Sequence, residues 1–165
     1  MEPTEATTVW DQLAASPIAV AVREWAWAYP LLETLHLIGI ALVFGSILAY
    51  DLRVLGRTRE LPLVSLGRHL LQWVWGGFVL NATTGSLLFL SDAAEFAANP
   101  AFFWKLVLIG LAGVNAAVFQ VRASWRPDVV TPGGPEPLAA RLPALLSIVI
   151  WIAVIAAGRM MAYVK

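Results

Sequence analysis

LLQWVWGGFVLNATTGSLLFLS, residues 70–91, carries no charged side chain between His69 and Asp92. A helix needs about 20 apolar residues to cross the hydrocarbon layer of a bilayer, and this run is long enough. The rest of the chain agrees: of 165 residues 59% are hydrophobic and 13% charged, with a mean hydropathy of +0.74. Ordinary soluble domains carry roughly 25% charged residues, so the solvent this chain suits is lipid. Its 11 basic and 11 acidic side chains balance and form no basic block, which excludes the electrostatic footprint of a nucleic-acid binder. The absence of cysteine excludes disulfides, thiolate metal sites and thiol catalysis. The opening residues, MEPTEATTVWDQ, are acidic where a cleaved signal peptide would be positive, so the first apolar run is expected to stay as a helix.

Working outward, turn and cap residues divide the chain. Thr8 with Asp11, and Ser16 with Pro17, read as two helix starts. Residues 17–28, PIAVAVREWAWA, have the mixed composition of an interfacial segment, so interfacial helices are placed at about 8–28. The first span is expected to begin at Pro30 and run to about residue 55, and the basic turn GRTRELP, 56–62, follows. Further spans are read at about 63–91, 101–125 and 138–163, with DAAEFAA, 92–98, as a small surface helix or loop. Asn99 and Pro100 start the third span, the proline- and glycine-rich stretch 126–137 is a loop, and Pro143 marks a bend. The fold class predicted is an all-α integral membrane protein: a four-transmembrane-helix bundle with N-terminal interfacial helices, a single domain over residues 1–165.

Arg53, Arg57, Arg59, Arg68, Arg122, Arg126 and Arg141 fall at one end of this bundle, and only Arg23, Lys105, Arg159 and Lys165 at the other. The positive-inside rule then puts both termini on the periplasmic face of a bacterial inner membrane. HLIGIAL at 36–42 resembles VLIGLAG at 107–113, which suggests two helical hairpins related about the membrane normal.

The polar residues inside the spans follow the helical period. Glu33, His36, Gly39, Val43, Ser46 and Tyr50 share one face of the first span, which is therefore expected to look at protein. Gly77, Asn81 and Gly85 in the second span, and Gly110, Gly113 and Ala117 in the third, are expected to serve close helix packing. By the helical rise, His36 lies about 9 Å inside its helix end and Lys105 and Arg159 about 6 Å inside theirs, so these three and Glu33 share one level. Charges in a membrane helix are costly unless compensated, and this level has a positive surplus suited to an anionic ligand such as porphyrin propionates. His36 would be the ligand to a metal and Glu33 the group that fixes its tautomer. The plainer reading of the same residues is a histidine bonded within the bundle, with Lys105 and Arg159 snorkelling to the interface. His69 lies roughly 20 Å away along the bundle and cannot share one iron with His36. A second ligand at this level would be Lys105, Met160, Met161 or water. Asp51 and Arg53 read as an end-of-helix pair, and Trp73, Trp75 and Trp151 as packing residues.

YPLLETLHLIGIALVFGSILAYDLRVLG (29–56), with WKLVLIGLAGVNAAVF and WIAVIAAGRMMAY further on, resembles a family of small bacterial membrane proteins of unassigned function. More distantly, the early His36 and the Trp104-Lys105 entry to a later span resemble the copper-resistance D proteins and the HemJ-type protoporphyrinogen oxidase. That resemblance implies a b-type heme, with His36 and Lys105 as the residues that carry over. The aromatic-rich stretch that follows the histidine in HemJ proteins is VFGSILAY in this chain, and their later histidines have no counterpart.

The function expected is binding of heme b or a related porphyrin for electron transfer or porphyrin handling, through His36, Glu33, Lys105 and Arg159. Two alternatives stand beside it. One is a cofactor-free accessory subunit, homo-oligomeric or part of a larger membrane complex; the other is a proton or metal-ion path through Glu33 and His36. Beyond the lipid bilayer, no partner class is specified.

Overall fold

A computed structural model describes residues 8–58, 60–124 and 138–164, with 122–124 described by their backbone; the expected loop at 126–137 lies outside them. The described residues form seven helices: α1 (Val9–Ala14), α2 (Pro17–Glu24), α3 (Ala28–Val54), α4 (Leu63–Ser91), α5 (Ala93–Ala98), α6 (Pro100–Ser124) and α7 (Leu138–Met160). Four are long and apolar enough to cross a membrane: α3, α4, α6 over Pro100–Val121, and α7. The shortest of these, 22 residues, rises about 33 Å, enough for the hydrocarbon layer. The chain is an all-α, multi-pass membrane bundle.

Local chemistry sets the ends. Thr8 and Asp11 form the reciprocal capping box: Thr8 Oγ1 accepts from the Asp11 amide at 3.2 Å, and the Thr8 amide donates to Asp11 Oδ2 at 2.8 Å. Ser16 Oγ accepts from the Ala19 amide at 3.3 Å, with Pro17 at the first helical position. Helix α3 begins two residues before Pro30. The first four amides of a helix have no partner inside it, so a proline in the first turn neither breaks the helix nor has to start it. At its other end the Arg57 amide donates to the Leu52 carbonyl at 2.9 Å and the Gly56 amide to Arg53 at 3.0 Å. This is a Schellman closure, and Gly56 takes the φ of 98° that it requires. Asn99 closes the other end of the bundle. Its Oδ1 accepts from the Ala101 and Phe102 amides, and its Nδ2 donates to the carbonyls of Met161 and Val164 at 3.1 and 2.8 Å.

The short helices α1, α2 and α5 gather at one end, the upper end. Arg23 fastens them there, donating through Nη1 to the Ser91 carbonyl at 2.8 Å and through Nη2 to the Ala14 carbonyl at 2.7 Å. Beside it Phe89 stacks on Phe102 at 5.3 Å, with Trp10 edge-on to Phe89 at 5.9 Å.

Helix α4 packs along α3, α3 along α7, and α7 along α6, whereas α4 and α6 scarcely touch among the described residues. The α3–α4 seam is built on glycine: a Cβ at Gly77 would lie 2.9 Å from the Gly39 carbonyl oxygen, Leu42 Cβ and Val43 Cγ2. The α6–α7 seam is a side-chain core of Ala112, Ile150 and Val154, covered by Leu108, Ile109 and Trp151. An exchange of the two hairpins about the membrane normal would turn the α3–α7 contact into an α6–α4 contact. The near absence of the latter means that the repeat suggested by HLIGIAL and VLIGLAG is not expressed in the packing. Two further expectations change. A Cβ at Gly110 or Gly113 would meet nothing within 4 Å, so among the described residues these glycines pack against no other helix. Trp73 and Trp75 are exposed on the outside of α4, because that helix gives its glycine face to α3; Trp151 does pack.

Candidate functional site

The imidazole of His36 enters from α3 and meets α4. Its Nδ1 lies 3.0 Å from Thr84 Oγ1, and Thr84 is 2% exposed. The same hydroxyl donates to the Leu80 carbonyl one turn back at 2.7 Å, with the Asn81 carbonyl at 3.5 Å. A hydroxyl has one proton, and a carbonyl has none to offer. With the Thr84 proton directed at the Leu80 carbonyl, the hydroxyl accepts from His36. That assigns the imidazole proton to Nδ1 and leaves Nε2 with its lone pair. The Asn81 carbonyl is a second acceptor beside the ring. Gly85 makes the approach feasible: a Cβ there would lie 3.0 Å from His36 Cε1 and 3.5 Å from Nδ1.

Lys105 comes from α6 and is half-buried. Its Cε and Nζ would both lie 3.7 Å from a Cβ on Gly158 of α7, so the ammonium crosses the α6–α7 seam over a glycine. It is within electrostatic range of His36. The structure thus brings together His36 and Lys105 out of the four residues read from the sequence, and adds Thr84, Gly85 and Gly158.

The other two lie on the rim. Glu33 is exposed and makes no hydrogen bond to His36 among the described residues; the imidazole is held by Thr84. Arg159 is exposed and turns back on its own helix end, donating to the Tyr163 hydroxyl at 2.9 Å with its guanidinium 5.2 Å from that ring centroid. Met160 is exposed and Met161 half-buried at the same end. Among the described residues no group of three or more His, Asp or Glu is placed to hold a metal ion, so His36 stands as a single imidazole.

The lower end differs more from expectation. Asp51 and Arg53 are 7% and 4% exposed, so they are buried polar residues and not an exposed terminal pair. Two positions apart on a helix, they leave from different faces. Arg53 donates through Nε to the Leu61 carbonyl at 2.8 Å across the turn, while Asp51 meets Ser147 of α7. His69 is exposed at this end.

Thr84 had a sequence signal. It sits in NATTGS between Asn81 and Gly85, on the face already marked by Gly77. A threonine in a spanning helix commonly bonds its own backbone, so the residue type alone did not distinguish it.

No curated protein and no solved structure matches the chain. Residues 25–164 match the model of a family of unknown function, DUF6644. That match takes in all four spans and leaves out α1 and α2, and on it the chain belongs to this family of unknown function.

Proposed function

We propose that the chain binds heme b or a related porphyrin at the upper level of the bundle, where His36 Nε2 would hold its iron, for electron transfer or porphyrin handling. The observation that carries this reading is the Nδ1–Thr84 contact: with the hydroxyl proton directed at the Leu80 carbonyl, Thr84 accepts from Nδ1 and the lone pair stands on Nε2. Ligating histidines in metal proteins are held in the same way, by a hydrogen bond at the other ring nitrogen. The role first given to Glu33 falls to Thr84. Lys105, half-buried within range of the ring, supplies positive charge for a propionate, and Arg159 a second at the rim. A bound heme would supply one-electron chemistry. The distribution of arginines supports placement in a bacterial inner membrane with both termini periplasmic. The likeness to copper-resistance D and HemJ-type proteins at His36 and Lys105 points the same way.

The visible spectrum of the purified chain, expressed with heme precursor, tests it. A Soret band that is lost in His36→Ala is the expected result. No band, or one unchanged by that substitution, overturns the reading.

One observation favours a second reading, a cofactor-free subunit of a larger membrane complex. The face of α6 bearing Gly110, Gly113 and Ala117 is exposed, and a Cβ on either glycine would meet nothing within 4 Å among the described residues. That reading expects no chromophore and a partner that co-purifies in mild detergent.

A further inference from the structure

Asp51 is the acidic group that the upper site leaves unused. It lies in the last turn of α3, and that level is enclosed from three sides. Ser147 of α7, 9% exposed, meets the carboxyl. The ring of the adjacent Tyr50 lies edge-on to Phe119 of α6 at 6.1 Å and 2.9 Å from where a Cβ on Gly67 of α4 would sit. Asp51 is 7% exposed before any lipid is added, and its Oδ2 has no hydrogen-bond partner among the described residues.

The charged groups near this level among the described residues are few. Arg53 directs its Nε to the Leu61 carbonyl. Arg57 and Glu60 in the turn, and Arg68 and His69 on α4, are exposed. On α7 the half-buried Arg141 is about 9 Å along the helix from Ser147, and on α6 the described residues from Phe119 to Val121 carry no charge. An ionised carboxylate offers about four acceptor positions and wants donors at most of them. Among the described residues, Ser147 is the hydroxyl that meets it. A neutral carboxylic acid needs far less: Ser147 can accept its proton or donate to its carbonyl oxygen. An ionisable group held in a membrane bundle with so few partners is costly, and such groups mark proton or ion pathways.

We propose that Asp51 is a proton-binding site at the lower end of the bundle, exchanging a proton with the aqueous phase beside the arginine-bearing turn, with Ser147 as its hydrogen-bond partner. The step is one bond: a carboxylate oxygen gains a proton to form O–H and releases the same proton, with no change in oxidation. It goes beyond the heme reading and stands independently of it, since neither His36 nor a cofactor takes part.

The test is infrared spectroscopy of the full chain in lipid nanodiscs over a pH series, with aspartate labelled by carbon-13. The expected result is a carboxylic-acid carbonyl band that responds to pH, moves with the aspartate label and is lost in Asp51→Asn. In Ser147→Ala the band changes frequency as its hydrogen bond is removed, a measurement that leaves Asp51 in place should the asparagine variant fail to fold. Wild-type protein with no label-sensitive acid band in the pH range where exposed aspartates are ionised overturns the proposal, whatever the visible spectrum shows.

Discussion

Thr84→Val removes one hydroxyl and keeps the branched shape, so it isolates the bond on which the His36 argument rests. In the wild type Thr84 Oγ1 accepts from Nδ1 at 3.0 Å and donates to the Leu80 carbonyl at 2.7 Å. Valine abolishes both. The Leu80 carbonyl keeps its place in the helix, but the imidazole N–H loses its side-chain acceptor at a site where Thr84 is 2% exposed. The Asn81 carbonyl stays beside the ring, so the loss falls toward the low end of the about 1–3 kcal/mol that orphaning a buried donor costs in water-soluble proteins. Hydrogen bonds between membrane helices measure less, about 0.6 kcal/mol on average and up to about 1.7, so a loss of about 1 kcal/mol is expected. The assay is reversible unfolding in mixed micelles, with Thr84→Ser restoring most of the loss. Loss of an orienting hydrogen bond typically weakens a metal site 10–100-fold, so heme affinity should fall by that factor. The tautomer itself is directly observable. The chain has two histidines, so His69→Gln leaves His36 as the only imidazole for nitrogen-15 spectroscopy. A proton found on Nε2 in the otherwise wild-type protein refutes the reasoning, as does Thr84→Val with unchanged stability and unchanged tautomer.

Two further outcomes follow from local geometry. Gly77→Ala puts a methyl 2.9 Å from a backbone oxygen and two side-chain carbons of α3, and overpacking of this kind costs about 1–3 kcal/mol. Gly110→Ala meets nothing within 4 Å and should be neutral or stabilising by up to about 1 kcal/mol through helix propensity; equal stabilities in the micelle assay would contradict the seam described above. At the upper end, the hydrogen bonds from Thr8 hold the Asp11 carboxyl below the usual carboxylate range. A depressed folded value means that the cap is intact above the ordinary aspartate pKa, about 3.9, and is lost as the pH falls through the lower folded value. Amide exchange in α1 should therefore stay constant down to that ordinary value and rise below it; fraying that sets in near neutral pH would show that the capping box does not form in solution.

The sequence by itself determined that there are four spans, the caps at Thr8, Ser16 and Asn99, and the arginine-rich end. These depend on residues close in the chain: the length of an apolar run, a side-chain oxygen three positions from an amide, a proline or glycine at a helix end. It also located His36 and Lys105, because depth along a helix follows from counting residues. It did not determine which face meets which helix. In a bilayer the surface toward lipid is as apolar as the surface toward protein, so hydrophobic periodicity scarcely orients a span. Glycine spacing was equally ambiguous: Gly77 is pressed against Gly39, while Gly110 and Gly113, at comparable spacing, look outward. Only the tertiary structure decided that Thr84 and not Glu33 holds the imidazole, that Arg159 turns to Tyr163, and that Asp51 and Arg53 are buried. Each of these is a choice between rotations of one helix against its neighbours, made by close packing and by the pairing of polar groups across the seams.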